Sequence, residues 1–379
     1  MLWVMLFTYP LMTAMQEISA RIGRVTGIGI AGNMKKHSPV FLTYAMVLFI
    51  CVAGVFNLGA DLGAMGAATQ LLVGGPLWPY TLVFAVVSLL LQMFVRYTTY
   101  VKYLKWMTLA VFAYVVTAFV VHPPWMDVLR STVFPSISFD AKYLSTLIAV
   151  LGTTISPYLF FWQASQEAEE VRVTRGEQAL RKSPHQAEEQ FNRIRVDTYF
   201  GMAVSNVVAF FIILTTAATL HQSGILDVQT TSQAAKALEP IAGRFAFLLF
   251  AAGIVGTGLL AIPVLAGSSA YGVAEALHWR ASLQKKPHQA PRFYGVLAAA
   301  TLIGLALNFV RIDPIRALFW AAVINGVTAV PIMVVTMLLA SNRKVMGKFG
   351  IPVTLKIIGW IATAVMLLAS IGLFATLKG

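Results

Sequence analysis

The segment around Pro157 contains the residues of this sequence that are best suited to chemistry inside a membrane. It reads LGTTISPYLFFWQASQEAEE from Leu151 onward and overlaps an apolar run at 143–166. Proline removes one backbone hydrogen bond and clashes with the preceding turn, so Pro157 breaks or kinks a helix. Thr153 and Ser156 precede it and supply hydroxyl and freed carbonyl oxygens. Unwound helices of this kind bind cations in secondary transporters, whereas an ordinary proline kink is satisfied by neighbouring hydroxyls.

A second interrupted helix is predicted at 317–342, where Asn325 and Gly326 are followed by Pro331. An amide buried in a membrane either forms a hydrogen bond between helices or acts as a ligand in a pore. Asn325 is therefore a candidate cation ligand that faces the Pro157 segment from another helix.

Two carboxylates lie near the ends of predicted spans. Asp61 follows Asn57 at the predicted outer end of the second apolar run, where it is either part of a solvated helix end or a group on a cation path. Glu17 lies near the inner end of the first run and either reaches the lipid headgroups or pairs with Arg21. Ionisable residues inside membrane spans are functional candidates by default.

Other kinds of chemistry find no support in the sequence. It contains no Ser-His-Asp arrangement, no HExxH motif and no paired intramembrane aspartates, which argues against a membrane hydrolase. The glycine-rich segment at 253–258 lies inside an apolar run and follows no strand, which argues against nucleotide binding. The single cysteine, Cys51, excludes a disulfide framework. We therefore expect neither an enzyme nor a bound cofactor.

These polar groups belong to a strongly apolar chain. Of its 379 residues, 58% are hydrophobic and 11% are charged, and its mean hydropathy is +0.76. Soluble domains carry about a quarter of their residues as charged side chains. Spanning the hydrocarbon core takes about 20 mostly apolar residues. Ten runs are predicted to span it: 1–16, 38–60, 71–95, 106–126, 143–166, 198–226, 245–274, 293–310, 317–342 and 357–377. The sequence thus predicts an all-α polytopic membrane protein with one transmembrane domain over 1–379.

The net charge of +13 comes from basic clusters between the apolar runs rather than from one basic face. Alternate loops hold most of the Lys and Arg residues, which assigns those loops to the cytoplasm and argues against a nucleic-acid partner. They contain Arg21, Arg24, Lys35 and Lys36; Arg96, Lys102 and Lys105; the segment 167–197; Arg280, Lys285, Lys286 and Arg292; and Arg343, Lys344 and Lys348. The segment 167–197 also carries acidic residues, which predicts a solvated helical hairpin broken near Ser183 and Pro184.

In a cell inner membrane, this orientation places both ends of the chain on the side opposite the cytoplasm. Met1 opens directly into an apolar run, with no basic flank and no signal-peptide cleavage pattern. An outward start of that kind predicts a further helix upstream of Met1.

Several blocks of the sequence resemble the NRAMP family of divalent-metal transporters. The block QEISARIGRVTGIGIAGNMKKH resembles the family's second helix and the loop after it, and NLGADLGAMGAA resembles its third helix. HPPWMDVLRSTVFPSIS and LGTTISPYLFFWQAS resemble the connection between the fifth and sixth helices and the sixth-helix motif. The match continues in order through Asp197 and Thr198 and covers essentially the whole chain. It implies a LeuT-like inverted repeat, metal binding where the first and sixth helices unwind, and alternating access.

The chain departs from the family pattern at the positions that matter for metal chemistry. Ser156 replaces the metal-binding methionine of the sixth helix, and Tyr158 and Gln163 replace two histidines. Asp61 is kept in the third-helix block, but Ala64 replaces its glutamate. The first helix with its DPGN motif lies upstream of this chain in the family. Oxygen ligands favour hard cations such as Mg²⁺ and Mn²⁺, so the pattern is similar to the bacterial NRAMP-related branch associated with magnesium.

The resemblance and the residues together predict a monomeric divalent-cation transporter that works without proton coupling. The expected ligands are Ser156, the Thr153 carbonyl and Asn325, with Asp61 assisting on the outward path. A proton-coupled Mn²⁺/Fe²⁺ importer is the alternative within the same class. A transport-inactive membrane or scaffold protein is the alternative from another class.

Overall fold

The computed structural model of this protein describes residues 1–95, 97–221, 223–225, 227–310 and 312–376, so Arg96 and Arg311 lie outside the described residues. The described chain is helical. Its α-helices are α1 (Leu2–Thr26), α2 (Ile30–His37), α3 (Val40–Val73), α4 (Leu77–Phe94), α5 (Tyr97–Met107), α6 (Ala113–Val120), α7 (Trp125–Val133), α8 (Ala141–Thr154), α9 (Pro157–Val173), α10 (Ala187–Thr216), α11 (Thr231–Ala235), α12 (Glu239–Ala242), α13 (Ala246–Ala276), α14 (Pro291–Leu307), α15 (Pro314–Ser341), α16 (Arg343–Met346) and α17 (Val353–Thr376).

Nine helical segments in the described residues are long and apolar enough to cross a membrane. They are Val40–Val73, Leu77–Phe94, Lys102–Val120, Ala141–Val173, Pro184–His221, Ala246–Ala276, Pro291–Val310, Pro314–Ser341 and Val353–Thr376. The sequence predicted ten, and the difference is the first run, 1–16. That run forms most of α1, whose 25 residues exceed the length of a span but include Gln16 and Glu17, which lower its hydropathy.

Helix α3 lies at the centre of the bundle, where it packs against α13, α14, α15 and α4. A large hydrophobic core joins α1, α9, α15 and α17, and a second joins α3, α13 and α14. Many apolar side chains remain exposed around these cores, as expected where lipid covers the surface.

Two predictions from the sequence, one on a helix end and one on burial, differ from the structure. The run at 38–60 was expected to end near Asp61, but α3 continues through Asp61 to Val73. The segment 167–197 was expected to be a solvated hairpin; its break does include Ser183 and Pro184, but Glu167 and Glu169 are buried near the end of α9. The two glutamates are buried because another helix gives Glu167 a cationic partner, Arg193, and the loop after α13 gives Glu169 a hydroxyl partner, Ser282.

The sequence left open whether Glu17 reaches the lipid headgroups or pairs with Arg21, and the structure shows the pair. Its carboxylate lies 2.7 Å from the Arg21 guanidinium one turn further along α1, and both side chains are buried. The guanidinium also stacks 4.1 Å from the centre of the Phe191 ring. Pairing rather than snorkelling therefore explains this carboxylate, since a paired charge is less costly to bury.

Candidate metal-binding site

The helix that the sequence predicted to be discontinuous is interrupted at the expected place. Helix α8 ends at Thr154, and Ile155 has φ −111° and ψ 66°. Ser156 follows with φ −85° and ψ 129°, and Pro157 begins α9. Proline suits the first position of a helix because its missing N–H needs no partner there. The two non-helical residues lie inside the membrane-spanning segment Ala141–Val173.

The break exposes oxygen atoms that side-chain hydroxyls partly satisfy. Ser156 is fully buried, and its hydroxyl donates to the carbonyls of Gly152 at 2.7 Å and Thr153 at 3.0 Å. The Thr153 hydroxyl donates to the Ala149 carbonyl at 2.9 Å. Hydroxyl and carbonyl oxygens each keep a further lone pair after these bonds. The segment thus contains neutral oxygens, including the fully buried Ser156 hydroxyl, that bond to one another at the break.

Helix α15 faces this break and is continuous, which corrects the prediction of a second interruption. It runs from Pro314 to Ser341 through Asn325 and Pro331. A membrane helix tolerates an internal proline where neighbouring groups satisfy the freed backbone. The prediction of an interrupted backbone around Asn325 was therefore wrong.

Asn325 forms a reciprocal amide pair with Asn57 of α3. The Asn57 amide donates to the Asn325 Oδ1 at 2.8 Å, and the Asn325 amide donates to the Asn57 Oδ1 at 3.0 Å. The Asn57 amide also donates to the Ala53 carbonyl at 2.7 Å. Asn325 thus joins two helices, and each Oδ1 retains one lone pair that a cation can use.

Helices α8 and α15 touch through their backbones. A side chain at Gly152 would overlap the Ala322 carbonyl oxygen and approach the Gly326 nitrogen to 2.5 Å. A side chain at Gly326 would approach the Ile148 carbonyl oxygen to 2.8 Å. Small residues at such crossings let membrane helices pack closely. This contact holds the end of α8 against the part of α15 that carries Asn325.

We expect Gly152→Val to disrupt this crossing, because backbone atoms of α15 cannot move aside as a flexible side chain would. The melting temperature in detergent should fall by several degrees and metal uptake should fall with it. Gly201→Val provides the control, since nothing lies within 4 Å of a side chain added at Gly201. If both variants have the same melting temperature as the unchanged protein, α8 and α15 do not pack as described.

Asp61 lies on α3 close to the start of α9. Its side chain is half-buried within the span, and Asn57, one turn earlier on α3, bonds to Asn325 of α15. No salt bridge reaches Asp61 from any residue that the structure describes. A carboxylate without a cationic partner inside a membrane is costly, which marks it as functional. The predicted residues Asp61, Ser156 and Thr153 are thus brought to one region, with Asn325 on the adjoining helix.

The described residues contain no group of three or more His, Cys, Asp or Glu side chains placed to hold a metal ion. The site consequently has one carboxylate and several neutral oxygens. Such a set lacks both thioether and imidazole ligands, which soft transition metals prefer.

A charged cluster at the inner end of α9 was not recognised from the sequence. Glu167 lies 2.6 Å from Arg193 and 3.9 Å from Arg24, and Arg24 lies 2.7 Å from Glu177. Arg24 is fully buried. Glu17, Arg21 and Arg24 share one face of α1 by their spacing, a signal that such residues meet partners on another helix.

Glu275, near the end of α13, is a second polar contact that the sequence did not reveal. Its carboxylate accepts hydrogen bonds from the Gly32 amide at 3.1 Å and from the Ser165 hydroxyl at 2.9 Å. Gly32 lies in the first turn of α2, where free backbone amides favour an anionic partner. Glu275 therefore fixes α2 and α9 to α13 on the inner side of the bundle.

The chain matches known membrane transporters over nearly its whole length. Residues 1–376 match the family model described as natural resistance-associated macrophage protein-like, or Nramp. The divalent metal cation transporter MntH of Caldanaerobacter subterraneus is 24% identical over 100% of this chain and 86% of its own length. The protein of the same name from Klebsiella pneumoniae is 25% identical over 97% of this chain and 84% of its own length.

Solved structures share the fold. The manganese transporter of Eremococcus coleocola matches with a TM-score of 0.77 at 16% identity, over 99% of this chain and 80% of that one. The structure of Mhp1, a nucleobase-cation-symport-1 family transporter in a closed conformation, matches with a TM-score of 0.55 at 13% identity. The match covers 99% of this chain and 86% of that one. These likenesses confirm the predicted all-α, LeuT-like transporter fold. Because the family model matches all of this chain except its last three residues, the chain belongs to the Nramp family.

Proposed function

We propose that this protein is a secondary transporter that moves divalent metal cations across a bacterial inner membrane by alternating access. The observation that supports this proposal most directly is the non-helical segment at Ile155 and Ser156, which lies inside a span. Helix α3, which carries Asp61, packs against the helix that follows this segment. Broken helices of this kind supply ion ligands in secondary transporters. Family membership agrees with the expectation of a transporter rather than an enzyme, and the metal is its substrate rather than a resident cofactor.

The proposed ligands are Ser156, the Thr153 carbonyl, Asn325 and Asp61. Each supplies oxygen, and only Asp61 supplies charge. Hard divalent cations take six or more oxygen ligands or keep several waters, so Mg²⁺ and Mn²⁺ suit this set better than softer metals. The relatives named MntH and the structural likeness to a manganese transporter favour Mn²⁺ as the cation to test first. The predicted upstream helix and the magnesium-associated branch stay predictions.

A proton-coupled Mn²⁺/Fe²⁺ importer is the second candidate function. The names of the MntH relatives favour a divalent-cation importer of this general type. Asp61 is the feature of this site that could carry a proton, so the two candidates differ in whether Asp61 changes its charge during transport.

Uptake by reconstituted vesicles tests the proposal. The full-length protein would be placed in vesicles that contain a metal-sensitive dye, with a fixed potassium diffusion potential, and Mn²⁺ or Mg²⁺ would be added outside. We expect saturable entry that is absent from protein-free vesicles. Entry that does not saturate, or that equals the protein-free rate for both ions, would leave the transport-inactive scaffold as the better interpretation.

Selectivity should change when Ser156 is replaced by methionine. A thioether in place of the hydroxyl adds a soft ligand, so preference should move toward Cd²⁺, Fe²⁺ and Mn²⁺ over Mg²⁺ by about ten-fold. The measurement is competition of each ion against Mg²⁺ uptake. Ser370→Met is the matched control, because Ser370 is a buried α17 serine whose hydroxyl also donates to a carbonyl one turn earlier, at 2.8 Å. An order of preference that is the same in all three proteins would remove Ser156 from the site.

A further inference from the structure

A cavity of about 310 Å³ lies between the inner end of α4 and the loop that joins α13 to α14. Gln92 and Phe94 line it from α4, and Lys285, Lys286 and Gln289 line it from the loop. None of these residues belongs to the proposed metal site at the α8–α9 break. The distribution of basic loops places this cavity at the cytoplasmic surface of the membrane.

The loop gives the cavity a positive rim. Lys285 and Lys286 are exposed, and the stretch 276–312 contains no acidic residue. The Glu169 carboxylate packs against this loop, but it is buried and already accepts hydrogen bonds from loop residues. It accepts a hydrogen bond from the Ser282 hydroxyl at 2.6 Å and another from the Gln284 amide at 3.3 Å. Within the described residues neither lysine forms a salt bridge, so the positive charge that lines the cavity favours an anionic ligand.

The floor of the cavity contains an unused polar atom. The Gln92 side chain is only 5% exposed, and its amide nitrogen donates to the Ser88 carbonyl at 3.0 Å. Among the residues that the structure describes, its Oε1 has no hydrogen-bond partner, and neither does the buried Ser88 hydroxyl one turn earlier. Buried polar groups are normally satisfied, so an unpaired one on a cavity wall indicates a missing partner. A ligand with its own hydroxyl groups would supply that partner.

The outer face of α4 leads from the bilayer to this cavity. Leu82, Val86, Leu90 and Phe94 follow one another at one-turn spacing, and all four are exposed, Phe94 by 77%. This apolar strip ends at Phe94, which also lines the cavity. A ligand with hydrocarbon chains can therefore lie along α4 while its polar end enters the cavity. A soluble phosphate compound would gain nothing from the strip.

We propose that this cavity binds the headgroup of an anionic phospholipid from the cytoplasmic leaflet. Lys285 and Lys286 bind the phosphate, Gln92 bonds to a headgroup hydroxyl, and the acyl chains lie on the exposed strip of α4. Basic pockets between membrane helices on the cytoplasmic side are suited to such headgroups. This lipid site is separate from the proposed metal site. The proposal therefore does not depend on which cation the protein transports.

Native mass spectrometry of the full-length protein in detergent would test the proposal with three lipids. Phosphatidylglycerol has the charge and the hydroxyls, phosphatidylmethanol has the charge alone, and phosphatidylcholine has no net charge. We expect retention in that order. Equal retention of phosphatidylglycerol and phosphatidylcholine would overturn the site. Glycerol phosphate, added as a soluble competitor, should displace no lipid; displacement at lipid-like concentrations would show a soluble phosphate ligand and overturn the lipid assignment.

Variants separate the two parts of the site. Lys285→Gln with Lys286→Gln should weaken phosphatidylglycerol binding by about ten- to thirty-fold. Lys35→Gln with Lys36→Gln is the matched control, another adjacent lysine pair in a cytoplasmic basic cluster that does not line the cavity, and it should change binding little. Gln92→Leu should abolish the preference for phosphatidylglycerol over phosphatidylmethanol and leave charge dependence intact. Two outcomes would contradict the proposal. One is an equal loss of phosphatidylglycerol binding in the two double-lysine variants, and the other is an unchanged headgroup preference in Gln92→Leu.

Discussion

Asp61→Asn should slow metal uptake by about 10- to 100-fold at subsaturating metal concentration. The substitution keeps the shape of the side chain and removes the one charge among the proposed ligands. Neutral oxygens alone replace the hydration shell of a divalent ion poorly, because affinity in such sites depends on the number of charged ligands. The loss should appear mainly in the concentration that half-saturates uptake, since the ion binds less tightly.

Asp140→Asn is the matched control for this experiment. Asp140 is an exposed N-cap of α8, where its carboxylate accepts a hydrogen bond from the Tyr143 amide at 2.8 Å. Asparagine caps helices about as well as aspartate, so this variant should transport normally. Asp61→Asn should also stay folded, because it removes an unpaired charge from a span. Normal uptake by a folded Asp61→Asn protein would exclude Asp61 as a ligand.

Asp61 also decides between the two candidate functions. Ala64 lies one turn away on α3 and cannot titrate, and Tyr158 and Gln163 stay neutral near pH 7. A proton path through a membrane needs successive titratable groups, so we expect metal entry without proton entry. An internal pH dye in the same vesicles measures this directly. Acidification that follows metal entry and disappears in Asp61→Asn would establish proton coupling through this carboxylate.

The broken helix was predictable because its cause is local. Pro157 has no N–H and clashes with the preceding turn whatever surrounds it, and hydroxyl residues before it satisfy the freed carbonyls. The end of α3 was not predictable in the same way. Asp61 among glycines indicated a helix end, but close helix packing also selects glycine, and α3 continues to Val73.

The roles of the long-range contacts could not be predicted from one sequence. Asn325 was expected either to bond to a helix or to bind a cation, and only the structure shows that Asn57, 268 positions away, is its partner. Glu167 and Glu169 were expected in solvent because charged residues usually are. Their burial depends on Arg193 and Ser282, which other helices and loops bring close.

Glu177→Gln should destabilise the protein by about 3 kcal/mol, because it leaves the buried Arg24 guanidinium without its nearest counter-charge. Arg24 is fully buried, and its closest carboxylate is Glu177 at 2.7 Å, with Glu167 further away at 3.9 Å. Within the described structure the Arg24 nitrogens form no aligned hydrogen bond, so this side chain depends on charge pairing. The measurement is reversible unfolding in detergent, followed by circular dichroism.

Two comparisons make this prediction specific to the buried charge. Glu170→Gln is the matched control, since Glu170 is 39% exposed and pairs with Arg193 at 3.2 Å, and exposed pairs contribute at most about 1 kcal/mol. Adding Arg24→Met to Glu177→Gln should restore part of the lost stability, because a buried pair replaced by uncharged side chains often costs little. If the double variant is as unstable as the sum of the two single variants, Arg24 and Glu177 do not stabilise each other.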